Sequence, residues 1–346
     1  MRRVVVVGAG GFFGAAVVAE LRRRGGEALA CARRDVDADD SASLHATLRR
    51  DDVVVDAAGP FHRRTPALVE AAMAIGCDVV DLCDDLGYAQ RLWAREAEVA
   101  AAGITVCPCC SSVSMVTWLL VGASGVTDPV RASVCLRPAA RETASRGTAR
   151  VLLHEAGGDV RSLADGTLVR ERGWSRGRVF AAPQGAMRGR LAESADALNL
   201  PRVWPGLRTV DFWVDSGVPG LNAAVGLVAG FGAARSLAVR SAGAGAWVAR
   251  RLGRRDGAFA VEVEDRKGSS RVAVARAPRR SYMIAVLPAV LAAISLAGEP
   301  RRGHGLLAPD RQVERGALLD ALRAAGVQVE VTELRAPVRS GAPGVR

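Results

Sequence analysis

The stretch Val4–Gly14, VVVVGAGGFFG, decides the fold. Four consecutive valines make the apolar run that a parallel strand needs when both of its faces are buried. Gly8, Gly10, Gly11 and Gly14 follow, and Ala15–Gly26, AAVVAELRRRGG, then places apolar residues at helical spacing and stops at Gly25 and Gly26. The order is strand, tight glycine turn, helix. Such a turn lets a pyrophosphate approach main chain that carries no Cβ, against N–H groups at the positive end of a helix dipole. Gly8, Gly10, Gly11, Phe12, Phe13 and Gly14 are therefore the first candidates for contact with a dinucleotide.

The next strand, Glu27–Ala32, ends on Arg33 and Arg34 instead of an acidic residue. A carboxylate there favours the ribose hydroxyls of NAD, whereas guanidinium groups pair with a 2′-phosphate, so the expected cofactor is NADP rather than NAD. Asp35 or Asp37 keeps the NAD alternative open. The alternation continues: helix Ser41–Arg50, strand Asp52–Asp56, helix Pro66–Ile75, strand Asp78–Leu82, helix Leu86–Ala102, strand Ile104–Cys107. This pattern predicts an α/β chain with an N-terminal doubly wound parallel sheet of the Rossmann type and a second α+β domain. Ligands bind beyond the carboxyl ends of such strands, which points to the loops 8–14, 57–64 and 83–87.

Two of these loops complete a pattern. AAGPF at Ala57–Phe61 and VVDLCDD at Val79–Asp85, with GAGGFFG at Gly8–Gly14, resemble the NADP-binding domain of the saccharopine dehydrogenase-like family. Later segments, GTARVLL from Gly147, DGTLVRERGWS from Asp165 and VDFWVDSGVPGLN from Val210, look like bacterial members of unassigned substrate. The resemblance implies an oxidoreductase with a nucleotide domain over 1–125 and an α+β substrate and dimerisation domain over 126–305. A helix-strand segment over 306–334 is expected to return to the first domain, with a flexible tail over 335–346. Ala57, Ala58, Gly59, Pro60 and Phe61 are expected near the nicotinamide: Gly59 lets the chain pass a flat ring, and Phe61 gives an apolar wall. The segment CPCCSSVSM at Cys107–Met115 departs from relatives, and Ser114 stands where proline is expected.

Hydride transfer needs a proton donor or acceptor within hydrogen-bond reach. His62 and Asp84 are the candidates; the alternatives are a solvent-exposed histidine and an Asp84 or Asp85 that caps the helix beginning near Leu86. The spacing of Cys107, Cys109 and Cys110 is too tight for a zinc site, so no metal is expected. No nucleophile-elbow pattern supports a hydrolase. Arg137, Arg141, Trp174 and Arg176 are candidate substrate contacts, because positive side chains hold a carboxylate.

Composition narrows the rest. The 346 residues suit two domains, and 49% hydrophobic against 24% charged residues excludes wholesale disorder. The net charge of +11 comes from scattered arginines, with Lys267 the single lysine and no aromatic stripe, which argues against nucleic acid. Seven cysteines, all within the first 135 residues, do not make a secreted disulfide framework, and the opening residues do not read as a secretory signal. A cytoplasmic homodimer acting on a small molecule is the expectation. Val218–Ala234 and Tyr282–Ala297 are apolar but short for a bilayer, and read as buried helices. The loop-like composition of 140–146 and 157–178 predicts long loops over the cleft. Strands are expected at Val130–Leu136, Arg178–Ala182 and Leu207–Val214, and Ala258–Asp265 with Arg271–Ala277 should form a hairpin. The expected function is an NADP-dependent oxidoreductase acting on a small carbonyl, imine or amino-acid-derived substrate. The alternative is a catalytically silent nucleotide-binding protein or a peripheral membrane-associated one.

Overall fold

The computed structural model describes residues 1–182, 185–229, 240–298, 300 and 303–334. The first sheet contains β1 (Val4–Val7), β2 (Ala28–Cys31), β3 (Val53–Asp56), β4 (Asp78–Asp81), β5 (Thr105–Cys107) and β14 (Gly305–Leu306). Its order is β14-β5-β4-β3-β1-β2, and every pairing is parallel. The VVVV and VVVD strands are buried along their whole length, because helices cover both faces. The chain leaves β1 for β2 on one side and then returns to β3 on the other. This reversal opens a crevice at the carboxyl ends of β1 and β3, where ligands bind in open α/β sheets.

The second sheet contains β6 (Pro129–Arg137), β7 (Asp159–Ala164), β8 (Thr167–Arg172), β9 (Gly177–Phe180), β10 (Met187–Ala192), β11 (Thr209–Val214), β12 (Gly257–Asp265), β13 (Ser270–Ala277) and β15 (Gln328–Leu334). Its path is β15-β13-β12-β6-β11-β10-β9, with β7 paired to β11 and β8. β6 and β11 are parallel, and the expected hairpin is the antiparallel β12–β13 pair. One face, through Ala132, Val134, Phe259 and Val261, shares a core with helix Met115–Ala123 and the first sheet. The other face, through Cys135, Ala258, Ala260 and Val274, forms a separate cluster with Phe180, Met187 and Trp213.

Several elements depart from expectation. Helix Leu86–Ala102 is two helices, Leu86–Trp93 and Glu96–Ala101, divided by a turn at Ala94 and Arg95. The loop expected over 140–146 carries helix Ala140–Thr143 and runs into helix Arg146–Glu155, and the loop expected over 157–178 is largely the β7–β8 hairpin. Asp165 and Gly166 both have positive φ, the signature of a tight two-residue hairpin turn. The strands around that turn are polar because Arg161 and Glu171 pair with neighbours on their own faces, so composition alone made them look like loop. Tyr282–Ala297 forms helix Met283–Gly298, which packs beside Phe12–Arg23 on the first sheet, and the chain thus re-enters that unit before residue 305. Past it the chain divides: β14 extends the first sheet, while β15 closes the edge of the second. The described part of Val218–Ala234 carries helix Leu221–Ala229. Residues 230–234 and the tail 335–346 lie outside the described residues.

Candidate active site

The glycine turn is built from close approaches. Gly8 has φ +81°, and a Cβ on it would lie 2.7 Å from the main chain of Ala57 and Ala58. A Cβ on Gly14 would lie 2.2 Å from the Gly8 carbonyl oxygen. The Gly8 and Ala9 N–H groups donate to the Cys31 carbonyl, and Gly11 N–H donates to the Gly8 carbonyl. A Cβ on Gly10 would meet Ala32, immediately before Arg33. The turn therefore touches the ends of β2 and β3 together. Helix Phe12–Arg23 starts from Gly11 with no side-chain cap and no acidic residue in its first turn. Its N-terminal N–H groups and positive dipole end face the crevice without a competing carboxylate, and the bare turn fits a diphosphate. Phe12 is exposed and meets Tyr282 edge-on at 5.2 Å.

Arg33 and Arg34 are almost fully exposed, with long contacts to Asp37 at 3.4 Å and Asp35 at 3.6 Å. Asp35 accepts the Ala32 N–H, which ties its carboxylate to the strand end. The AAGPF loop carries a cis Gly59–Pro60 peptide, and a Cβ on Gly59 would project into open space. Phe61 is buried against Tyr88. Arg64 fixes this loop and was not among the residues singled out by sequence. Its guanidinium donates to both oxygens of the fully buried Asp56 at 3.1 Å, to Asp39 at 3.0 Å and to the Ala58 carbonyl at 2.6 Å. The signal was an arginine eight residues past a strand-terminal aspartate, a pairing that only the returning loop creates.

His62 stands on the turn Phe61–Arg63 and stacks on His154, with ring centroids 4.5 Å apart. His154 belongs to helix Arg146–Glu155, so the histidine pair joins the nucleotide loop to an element of the second unit. Partial burial, then the charges of His154 and Arg63, lower the His62 pKa below its ordinary value, leaving the ring neutral near pH 7. Asp85, not Asp84, caps helix Leu86–Trp93 by accepting the Tyr88 N–H at 2.6 Å. Asp84 is exposed, and its carbonyl accepts the Ala195 N–H. Surrounding protein, then Asp85, pushes its carboxyl up to about 6. Glu155, next to His154, is raised well above the carboxylate range by burial and by Asp84, Glu193 and Asp85. His62 thus meets His154, and Glu155 beside His154 feels the charges of Asp84 and Asp85; the sequence reading singled out neither His154 nor Glu155.

The remaining candidates fall elsewhere. Arg141 donates to the Gly253 carbonyl, Arg176 pairs with Glu171 at the surface, Trp174 is buried, and Arg137 lies within the second sheet. Asp81, Cys83 and Cys109 bring ligand-type atoms within 4.8 Å of one another in the core. The Ser114 departure has a physical cause. Its N–H donates to buried Asp196 at 2.7 Å, and its φ is +71°, neither of which proline allows.

A doubly wound parallel sheet with a bare glycine turn at the carboxyl ends of β1 and β3 defines a dinucleotide-binding unit. Residues 27–107 match the saccharopine dehydrogenase NADP binding domain. Among solved structures, the chain is similar to the homospermidine synthase of Legionella pneumophila in complex with NAD. That match has 11% identity, covers 100% of this chain and 94% of that one, and has a TM-score of 0.62. The apo saccharopine dehydrogenase (L-Glu forming) of Saccharomyces cerevisiae is similar at 14% identity, covering 97% and 100% of the two chains, with a TM-score of 0.55. At these identities the likeness is one of fold, and it extends over both units. No curated protein matches this chain. Among the described residues, no helix is long and apolar enough to cross a membrane.

Proposed function

We propose that this chain is an NADP-dependent oxidoreductase that transfers hydride to or from a small carbonyl, imine or amino-acid-derived substrate. The observation that supports the reading is the close approach of the glycine turn to the AAGPF loop; on this reading His62 and Asp84 stand beside the nicotinamide. Gly8, Gly10, Gly11 and Gly14 hold the diphosphate, with Phe12 and Phe13 at the start of the helix. Ala57–Phe61 flanks the ring. Arg33 and Arg34, exposed and only loosely engaged, face the adenosine 2′-phosphate. A bound nicotinamide supplies the hydride chemistry. The chain supplies the proton: neutral His62 accepts it at a ring nitrogen and the imidazolium so formed gives it back in the reverse direction, while Asp84, with its carboxyl near 6, exchanges it with solvent.

Seven free, buried cysteines support a reducing, cytoplasmic setting. The homodimer follows from the resemblance, and sedimentation velocity tests it. Titration of nicotinamide fluorescence with NADPH and NADH tests the cofactor. Tighter binding of NADH overturns the Arg33 and Arg34 assignment. Screening amino-acid and keto-acid pairs, with amines, for change in reduced-nicotinamide absorbance tests the reaction. Retained NADPH binding with no turnover across the screen would leave the nucleotide-binding reading alone.

A further inference from the structure

A buried arginine at the end of β6 lacks the partner that its geometry calls for. Arg137 is 3% exposed, and its Nε and Nη2 have no hydrogen-bond partner. Those two atoms form the side-on edge of a guanidinium, the edge that grips both oxygens of a carboxylate. The chain uses this fork elsewhere: Arg3 holds Asp52 through Nε and Nη2, as Arg161 holds Glu193 and Arg23 holds Glu20.

The nearest acid pairs with it by charge but does not hydrogen-bond to it. Asp256 lies 3.6 Å from Arg137 Nη2, beyond hydrogen-bond reach, and both its oxygens already accept from Arg254. Asp215 is also occupied, by the N–H groups of Arg188 and Gly217 and by the Asn222 amide. A further cation faces the same point. Arg137 and Arg276 both stand opposite Ala258 in the sheet register, so their side chains share one face on either side of a small residue. Arg276 Nε is likewise unpartnered and lies 3.8 Å from the same Asp256 oxygen. Burial, then Arg254, lowers the Arg137 pKa, the mark of a cation held short of negative charge. Arg276 and Arg254 are partly exposed, while Arg137 is buried beneath them. The cluster lies on the sheet face away from helix Met115–Ala123.

We infer that Arg137 and Arg276, flanking Ala258, form a binding site for a small carboxylate, with the Arg137 fork taking both of its oxygens. The site does not depend on the oxidoreductase reading. The test is thermal unfolding of the full chain in sodium acetate, succinate, phosphate and chloride at matched ionic strength. Acetate and succinate should raise Tm saturably by several degrees over chloride. Arg137→Met should abolish that rise, and in chloride it should itself unfold at higher temperature than the wild type, because it removes a buried guanidinium whose fork makes no hydrogen bond. Arg276→Met should weaken the carboxylate effect several-fold. NADPH titration should be unchanged in both variants, so a failure here is separate from failure of the cofactor assignment. Equal Tm in carboxylate and chloride overturns the proposal. So does a lower Tm of Arg137→Met in chloride, which makes Arg137 a structural partner of Asp256. Phosphate stabilising more than succinate overturns the carboxylate assignment.

Discussion

Replacing Arg64 by methionine tests how the nucleotide loop is held. Arg64 lies in the interior and makes five hydrogen bonds: to Asp56 twice, and to Asp39, the Ala58 carbonyl and the Ala38 carbonyl. Asp56 is 0% exposed, and Arg64 is the cation paired with it. Methionine keeps most of the volume but leaves that carboxylate buried without a counter-charge. Breaking a buried pair in this way costs about 3–5 kcal/mol, against ~0–1 kcal/mol for a surface pair. For a domain of this size that corresponds to a fall in Tm of about 10 °C. The Asp56→Asn, Arg64→Met double variant removes the stranded charge and should recover a large part of the loss, so the two single costs should not add. The same substitution releases the Ala58 carbonyl, so NADPH binding should weaken in proportion to the freedom gained by residues 57–61. Differential scanning calorimetry gives the first quantity and fluorescence titration the second. An Arg64→Met protein within 2 °C of wild type, or a double variant less stable than the sum of its singles, would refute the reasoning.

The other predictions concern the cradle, the cofactor and pH. Gly14→Ala pushes a Cβ into the Gly8 carbonyl and should abolish measurable NADPH binding while lowering stability by about 1–3 kcal/mol. Gly59→Ala has open space around its new methyl group, so Tm should hold while NADPH binding weakens; unchanged affinity would remove this loop from the nicotinamide site. Arg33→Ala should weaken NADPH binding at least tenfold more than NADH binding, and equal losses would show that it does not meet the 2′-phosphate. Burial pushes the Asp196 carboxyl up to about 7, against hydrogen bonds from the Ser114 N–H and the Thr117 hydroxyl. In the unfolded chain it titrates near ~3.9, so the folded protein holds a proton there that the unfolded chain has already lost. This contribution to stability is full below about pH 4 and is lost as the pH rises to about 7. Asp196→Asn should gain on wild type by on the order of 2 kcal/mol between pH 5 and pH 8, and parallel Tm profiles would contradict the assignment.

The first sheet could be read from local pattern because each of its strands is a short apolar run and each turn carries its own chemistry. Val4–Gly14 states strand, turn and helix start within eleven residues, and Asp52–Gly59 and Asp78–Asp85 repeat the strand and its ligand-facing end. The β7–β8 hairpin was hidden because its strands are half-exposed and their charges pair across neighbours, which erases the apolar alternation that marks a strand. Its Asp165–Gly166 turn was visible in sequence and was the usable signal.

The sequence by itself determined the doubly wound sheet and the glycine cradle, since the backbone freedom and two-faced burial they need are properties of adjacent residues. The tertiary structure alone decided the chemistry. Arg64 reaches Asp56, His62 stacks on His154, Glu155 is pushed up by burial and by Asp84 and Glu193, and Ser114 donates to Asp196. Each of these depends on residues far apart in the chain, and the pKa of a carboxyl or imidazole follows from the charges and burial that folding places around it.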